Sequence, residues 1–219
     1  MMIRMLRSAA IAGLIVSGLG VAGSAQAAKA PPYKVDTAHT QIIFAVDHMG
    51  FSTTHGTFKT FTVDLKFDPA KAAKTTVNVN VDTSSIATGF GPRDEHLKSP
   101  DFFNAAQFPS MTFKSTKTEV TGDNTAKLTG NLTLLGVTKP ITLDVKLVDN
   151  GPSPFAPTAN VYGFSATGMI KRSDFGMTKF VPAPGGRGVG DDISFTIGSE
   201  INNLPPPPAA PTPAAPKAN

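Results

Sequence analysis

The chain has no cysteine, no tryptophan and only two tyrosines, and charged residues make up just 16% of it. Without cysteine there can be no disulfide, thiolate metal site or thiol nucleophile, so stability must come from packing and backbone pairing. None of the four histidines stands in an H-x-x-x-H or H-E-x-x-H pair, the close spacing that zinc sites without cysteine ordinarily show. No serine sits in a G-x-S-x-G elbow, and that removes the usual hydrolase signal. Basic residues only slightly outnumber acidic ones, 20 Lys+Arg against 16 Asp+Glu, and they are scattered. With no basic stripe and no interleaved aromatics, nucleic acid is not an expected partner.

Both ends differ from the middle in composition. Arg4 and Arg7 precede a weakly apolar run, Ala9 to Gly23, and Ala25-Gln26-Ala27 has the small-x-small pattern of a signal-peptidase site. Together they predict a secretory signal over residues 1–27, cleaved after Ala27; an uncleaved anchor is the alternative. Residues 204–219, rich in proline and alanine, can form neither helix interior nor sheet ladder and predict an extended, solvated tail. The remaining residues, 28–203, are enough for one domain with a substantial core.

Within that domain the apolar residues alternate. Ile42, Phe44 and Val46 share one face of a strand that His48 then continues, while Ile43, Ala45 and Asp47 take the other. Val63, Leu65 and Phe67 alternate as well, but Phe58 is out of step with them, which predicts a bulge near Thr60. Asp68-Pro69 reads as an N-cap followed by proline, opening a short helix through Lys74. Val77, Val79 and Val81 point inward. Thr88 to Pro109 has no period of two and forms a long connection with a short helix over Arg93–Lys98, the kind of segment that covers an open barrel end. Alternation then resumes. Leu128, Leu132 and Leu134 share a face, as do Ile141, Leu143, Val145 and Leu147, with a hairpin turn at Gly136-Val137-Thr138 between the two strands. About eight strands in hairpins, with no βαβ rhythm, predict an all-β antiparallel barrel closed to hide its edges.

Such a barrel holds either side chains alone or one ligand. The glycines Gly130, Gly163 and Gly168 leave room in the middle on one reading; on the other they mark bends around a solid core. For the polar residues, a histidine bonded to a carboxylate such as Asp36 or Asp94 is the plain expectation, as is an ion pair of Arg93 or Arg172 with an aspartate.

The ordered motifs D-T-A-H-T-Q-I-I-F-A-V-D-H-M-G (Asp36–Gly50), G-T-F (Gly56–Phe58), S-S-I-x-T-G (Ser84–Gly89), R-D-E-H-L-K-S-P-D-F-F (Arg93–Phe103), F-P-S-M-T-F (Phe108–Phe113), G-N-L-T-L-L-G-V-T-K-P (Gly130–Pro140) and R-S-D-F-G (Arg172–Gly176) resemble the YceI-like family over Tyr33–Ile201. The resemblance implies an extended eight-stranded lipocalin-like barrel in the periplasm. Its apolar pore would bind or carry a polyisoprenoid, an isoprenoid quinone or another long-chain amphiphile, with no catalytic residue, metal or further cofactor. The expected pore lining is Ile42, Phe44, Val46, Phe58, Phe113, Leu132, Leu134, Ile141, Leu143 and Phe164. The expected polar mouth is His48, Arg93, Asp94, His96 and Arg172, which would either bind a headgroup or hold the Thr88–Pro109 segment in place. Transient membrane contact and dimerisation over the mouth are further expectations. Two other readings compete: an enzyme acting on a hydrophobic substrate with His48 or His96 as acid–base group, and a partner protein whose tail makes the contacts.

Overall fold

The computed structural model describes residues 32–204; the expected signal segment and all but Leu204 of the expected tail lie outside them. Ten strands follow one another: β1 (Lys34–His48), β2 (Ser52–Phe58), β3 (Phe61–Lys66), β4 (Thr76–Asp82), β5 (Ile86–Ala87), β6 (Ser110–Gly122), β7 (Thr125–Leu134), β8 (Val137–Pro152), β9 (Asn160–Lys171) and β10 (Val189–Asn202). All pair antiparallel in one sheet of order β3-β4-β6-β7-β8-β9-β10-β1-β2-β5. Helix α1 (Gly91–Lys98) and three short 3-10 turns interrupt them.

The expected count of eight is thus corrected to ten, because two of the expected strands are each broken once. β2 and β3 are separated by Lys59-Thr60, and across that break the interior-facing residue moves from Phe58 to Phe61, the extra residue that the phase of Phe58 demands. β4 and β5 are separated by the turn Thr83–Ser85, where the Asp82 carboxylate accepts from Ser84 N at 2.8 Å. Pairing survives both breaks through Lys59 N to Ser85 O (3.2 Å) and Asp82 N to Thr60 O (3.0 Å).

Closure is incomplete as well. β1 pairs with β2 only over Ile42–His48, and β3 pairs with β4, so no ladder joins the first half of β1 to β3. The sheet curls until these two segments face each other across a seam. Aromatic packing takes the place of hydrogen bonds at its end: Tyr33 meets Phe67 and Tyr162 edge-on, each with centroids 5.3 Å apart, and Phe67 meets Phe164 at 5.8 Å.

Local chemistry explains the remaining elements. Asp68 caps the 3-10 turn Pro69–Lys74 by accepting from Ala70 N at 3.0 Å. The β7–β8 hairpin turns at Leu135-Gly136, one residue earlier than expected, with φ of 52° and 75°, the paired positive values of a type I′ turn. Interior-facing residues pack into a continuous core that includes Phe113, Leu132, Leu134, Leu143, Phe175 and Met177, with a second cluster around Phe58, Val81 and Ile86.

Candidate functional site

The curled sheet encloses an apolar cavity of about 360 Å³, within the size range of small-molecule sites. All ten expected lining residues face it: Ile42, Phe44 and Val46 from β1, Phe58 from β2, Phe113 from β6, Leu132 and Leu134 from β7, Ile141 and Leu143 from β8, and Phe164 from β9. The wall also takes Val63 and Leu65, Val77, Val79 and Val81, and Ile193, Phe195 and Ile197. Each of these sets alternates in sequence, so the signal that finds them is the one that found the first ten.

The strand registers define two ends. One carries Lys34, Asn202 and Asn160; the other carries His48, Val189 and Lys171. At the second end Leu97, Phe102 and Phe103 from the Thr88–Pro109 connection lie over the cavity together with Met177, and Phe102 and Met177 are buried. Thr83 pins this cover to β4, with its hydroxyl donating to Phe108 O at 2.7 Å and its N–H to Pro109 O at 3.0 Å. At the first end, by contrast, the lining residues Ala72 and Val120 are exposed.

The expected polar mouth therefore sits at the covered end, and four of its five residues stay outside the lining. The register shifts between Val46 and His48, and His48 is exposed, so the inward stripe ends at Val46. Arg93 and Asp94 both serve Thr88. Asp94 Oδ1 accepts from Thr88 N at 2.8 Å and from its hydroxyl at 2.5 Å, while Arg93 donates to Thr88 Oγ1 at 2.7 Å and to Thr88 O at 2.9 Å. The Thr88 hydroxyl bond holds the Asp94 carboxyl below its ordinary range. His96 Nε2 lies 3.1 Å from Asp101 Oδ2, and that contact lowers the pKa of Asp101.

Arg172 alone of the five lines the cavity, and it is only 2% exposed. Among the described residues no carboxylate pairs with it directly. Its guanidinium instead donates to the main-chain oxygens of Gly190, Lys179 and Val189 at 2.8 Å and of Met177 at 2.9 Å. Burial lowers its pKa and nearby Asp191 partly offsets this. The ion pair expected for Arg93 or Arg172 gives way in both cases to bonds with threonine or backbone oxygens.

The glycines do not hollow out the cavity. A Cβ on Gly168 would stand 2.6 Å from the Phe195 ring, and one on Gly130 would meet the Phe113 ring, so phenylalanines occupy that space. Gly163 has no such neighbour; a Cβ there would meet nothing closer than Asp149 O at 3.8 Å.

A histidine–carboxylate bond does form on the outer face. His39 Nδ1 lies 3.0 Å from Asp36 Oδ2, and Asp36 is directly opposite Glu200 across the β1–β10 ladder. The ligand-type atoms of these three residues lie within 4.8 Å of one another. The imidazole thereby offsets a like-charge cross-strand pair. The Asp36 bond raises the pKa of His39, with Glu200 adding to the effect, and the same bond holds Asp36 low.

This geometry coincides with a family. The YceI-like domain profile matches residues 33–201. The protein named Protein YceI of Salmonella arizonae is 42% identical over 166 residues, covering 75% of this chain and 84% of its own. A Campylobacter jejuni YCEI crystal structure superposes with TM-score 0.63 at 33% identity, over 73% of this chain and 90% of that one. Burkholderia cenocepacia BcnA gives TM-score 0.65 at 27% identity, over 76% and 99%. A polyisoprenoid binding domain from Saccharophagus degradans shares the fold at TM-score 0.56 and 13% identity, over 80% and 99%. Matched along nearly all of its described residues, the chain belongs to the YceI-like family.

Proposed function

We propose that this protein binds and carries a polyisoprenoid or a similar long-chain amphiphile, with the hydrocarbon tail in the cavity. The carrying observation is the wall itself. It is apolar along its length, and the one charged side chain in it, Arg172, directs its donors at main-chain oxygens. Such a space has little to offer a polar substrate. Each CH₂ moved into it from water contributes about 0.8 kcal/mol, so a long tail is held without polar contacts and with loose selectivity along its length. The Saccharophagus neighbour, described as a polyisoprenoid binding domain, supports the same class of cargo. The pattern of residues 1–27 supports a periplasmic setting, and exchange of cargo there entails transient contact with a membrane. The competing acid–base reading places its chemistry on His48 or His96, and neither lines the cavity.

Native mass spectrometry of the protein purified from its own cells, followed by organic extraction, tests the proposal. One prenyl or acyl species per chain supports it. An empty protein that also takes up no prenyl lipid in solution overturns it.

A further inference from the structure

The break between β2 and β3 forms a second feature, on the outside of the sheet. Along the seam runs a groove of about 500 Å³. Its polar lining is Thr37, Thr40, Gln41, His55, Thr57 and Lys59, and among the described residues no carboxylate contributes to it. Thr57 directs its hydroxyl hydrogen to Ile42 O at 2.8 Å. The Lys59 ammonium, like those of Lys34, Lys66, Lys74, Lys114, Lys139 and Lys146, is in no ion pair within 4.0 Å among the described residues, so it is free to meet a ligand at the groove.

The groove and the cavity share a wall. Thr40, Phe58 and Phe61 line both. They stand where β2 parts from β1 and the ladder between β1 and β3 is missing. The irregularity between Asp36 and Gln41 sets five steps of β1 against two steps of β10. It lifts Thr37 and Ala38 out of the ladder to form one bank of the groove.

We infer that this groove is an oxyanion-headgroup subsite. It takes the phosphate or carboxylate of an amphiphile whose tail passes between Thr40 and Phe61 into the cavity. A free ammonium, an imidazole, an amide and the Thr37 hydroxyl, without a competing acid, are donors suited to an oxyanion, while Thr40 and Thr57 give their hydroxyl hydrogens to Asp36 O and Ile42 O. Because the seam lacks a hydrogen-bonded ladder, passage of a chain breaks no backbone bond there. The inference rests on the carrier reading and locates its polar end.

The test measures binding of farnesyl phosphate, farnesol and palmitate to the full mature chain and to K59Q, K59R and K74Q variants, with NMR of the His55 ring. The subsite predicts that farnesyl phosphate or palmitate binds at least tenfold tighter than farnesol. K59Q should abolish that preference, leaving farnesol unchanged, while K59R and K74Q keep it. The His55 ring signals should move with the charged ligand and not with farnesol; which charged ligand gains more separates phosphate from carboxylate. Equal affinity for charged and neutral ligands, or a preference that K59Q leaves intact, overturns the subsite while the carrier reading stands. Failure of all three to bind counts instead against the carrier reading, and the subsite falls with it.

Discussion

The Phe195 ring covers Gly168 on the neighbouring strand, its direct partner in the β9–β10 ladder. A Cβ at position 168 would come within 2.6 Å of that ring and 2.9 Å of Leu143 Cδ2, so the ring can lie flat along the cavity wall only over a glycine. The Phe113 ring occupies the same kind of space over Gly130, and the Phe44 ring over Gly56. Cavity width is thus set by phenylalanines laid across glycines.

Gly168→Ala is expected to destabilise the fold by about 1–3 kcal/mol through overpacking. Phe195→Leu in the same chain should recover a large part of that loss, because the two positions share one space. Urea denaturation of the two single variants and the double variant measures the coupling. Strictly additive effects would show that the ring does not depend on the glycine.

Arg172→Ala removes four hydrogen bonds that tie the residue after β9 to main-chain oxygens of the following loop (Met177, Lys179) and of the start of β10 (Val189, Gly190). The expected loss is roughly 3 kcal/mol or more, since hydrogen bonds from a charged group contribute about 1.5–3 kcal/mol each and four main-chain oxygens lose their donor. Hydrogen exchange should report the Met177–Val189 segment opening first. A loss below 1 kcal/mol, on the order of a single neutral hydrogen bond, would contradict this role.

Thr88→Val leaves Arg93 and Asp94 without their shared hydroxyl partner. Faster exchange across Gly91–Phe108 and a modest loss of stability, about 1–2 kcal/mol, are the expected results. Unchanged protection in that segment would show that the cover is held by its phenylalanines and the Thr83 bonds without the Thr88 hydroxyl.

The His39–Asp36 pair predicts opposed pH effects. Because the folded-state pKa of His39 is raised, its contribution is complete below the unfolded value, about 6.5, and is lost as pH rises through the folded value. Because that of Asp36 is lowered, its contribution is present above the unfolded value, about 3.9, and is lost as pH falls through the folded one. The pair therefore acts in mildly acidic solution. NMR titration should find His39 above its free value in the native chain and lower in Asp36→Asn; equal values in both would dismiss the pairing.

Much of the wall was legible in the sequence because a half-buried strand repeats every two residues. Ile42, Phe44 and Val46, like Leu132 and Leu134, needed nothing but parity, and Phe58 announced the break at Lys59-Thr60 by being out of phase. The polar residues carried no such signal. His48 was placed by extending a stripe past a register shift that occurs after Val46. For Arg172 the residue pattern leaves a headgroup role and a structural role both open, because backbone oxygens, its partners in the fold, are written nowhere in it. The cover at residues 88–109 has no period, so nothing local says that Thr88 joins Arg93 to Asp94. Nor does a glycine reveal that a ring on another strand lies above it.

The most direct test of the central claim is NMR of methyl-labelled protein titrated with a long prenol. If the tail occupies the cavity, the methyls of Val79, Leu143 and Ile197 shift and show NOEs to the ligand. Val148 and Met169, both 62% exposed, stay unchanged. Shifts confined to Val148 and Met169, or none at saturating prenol, would contradict it.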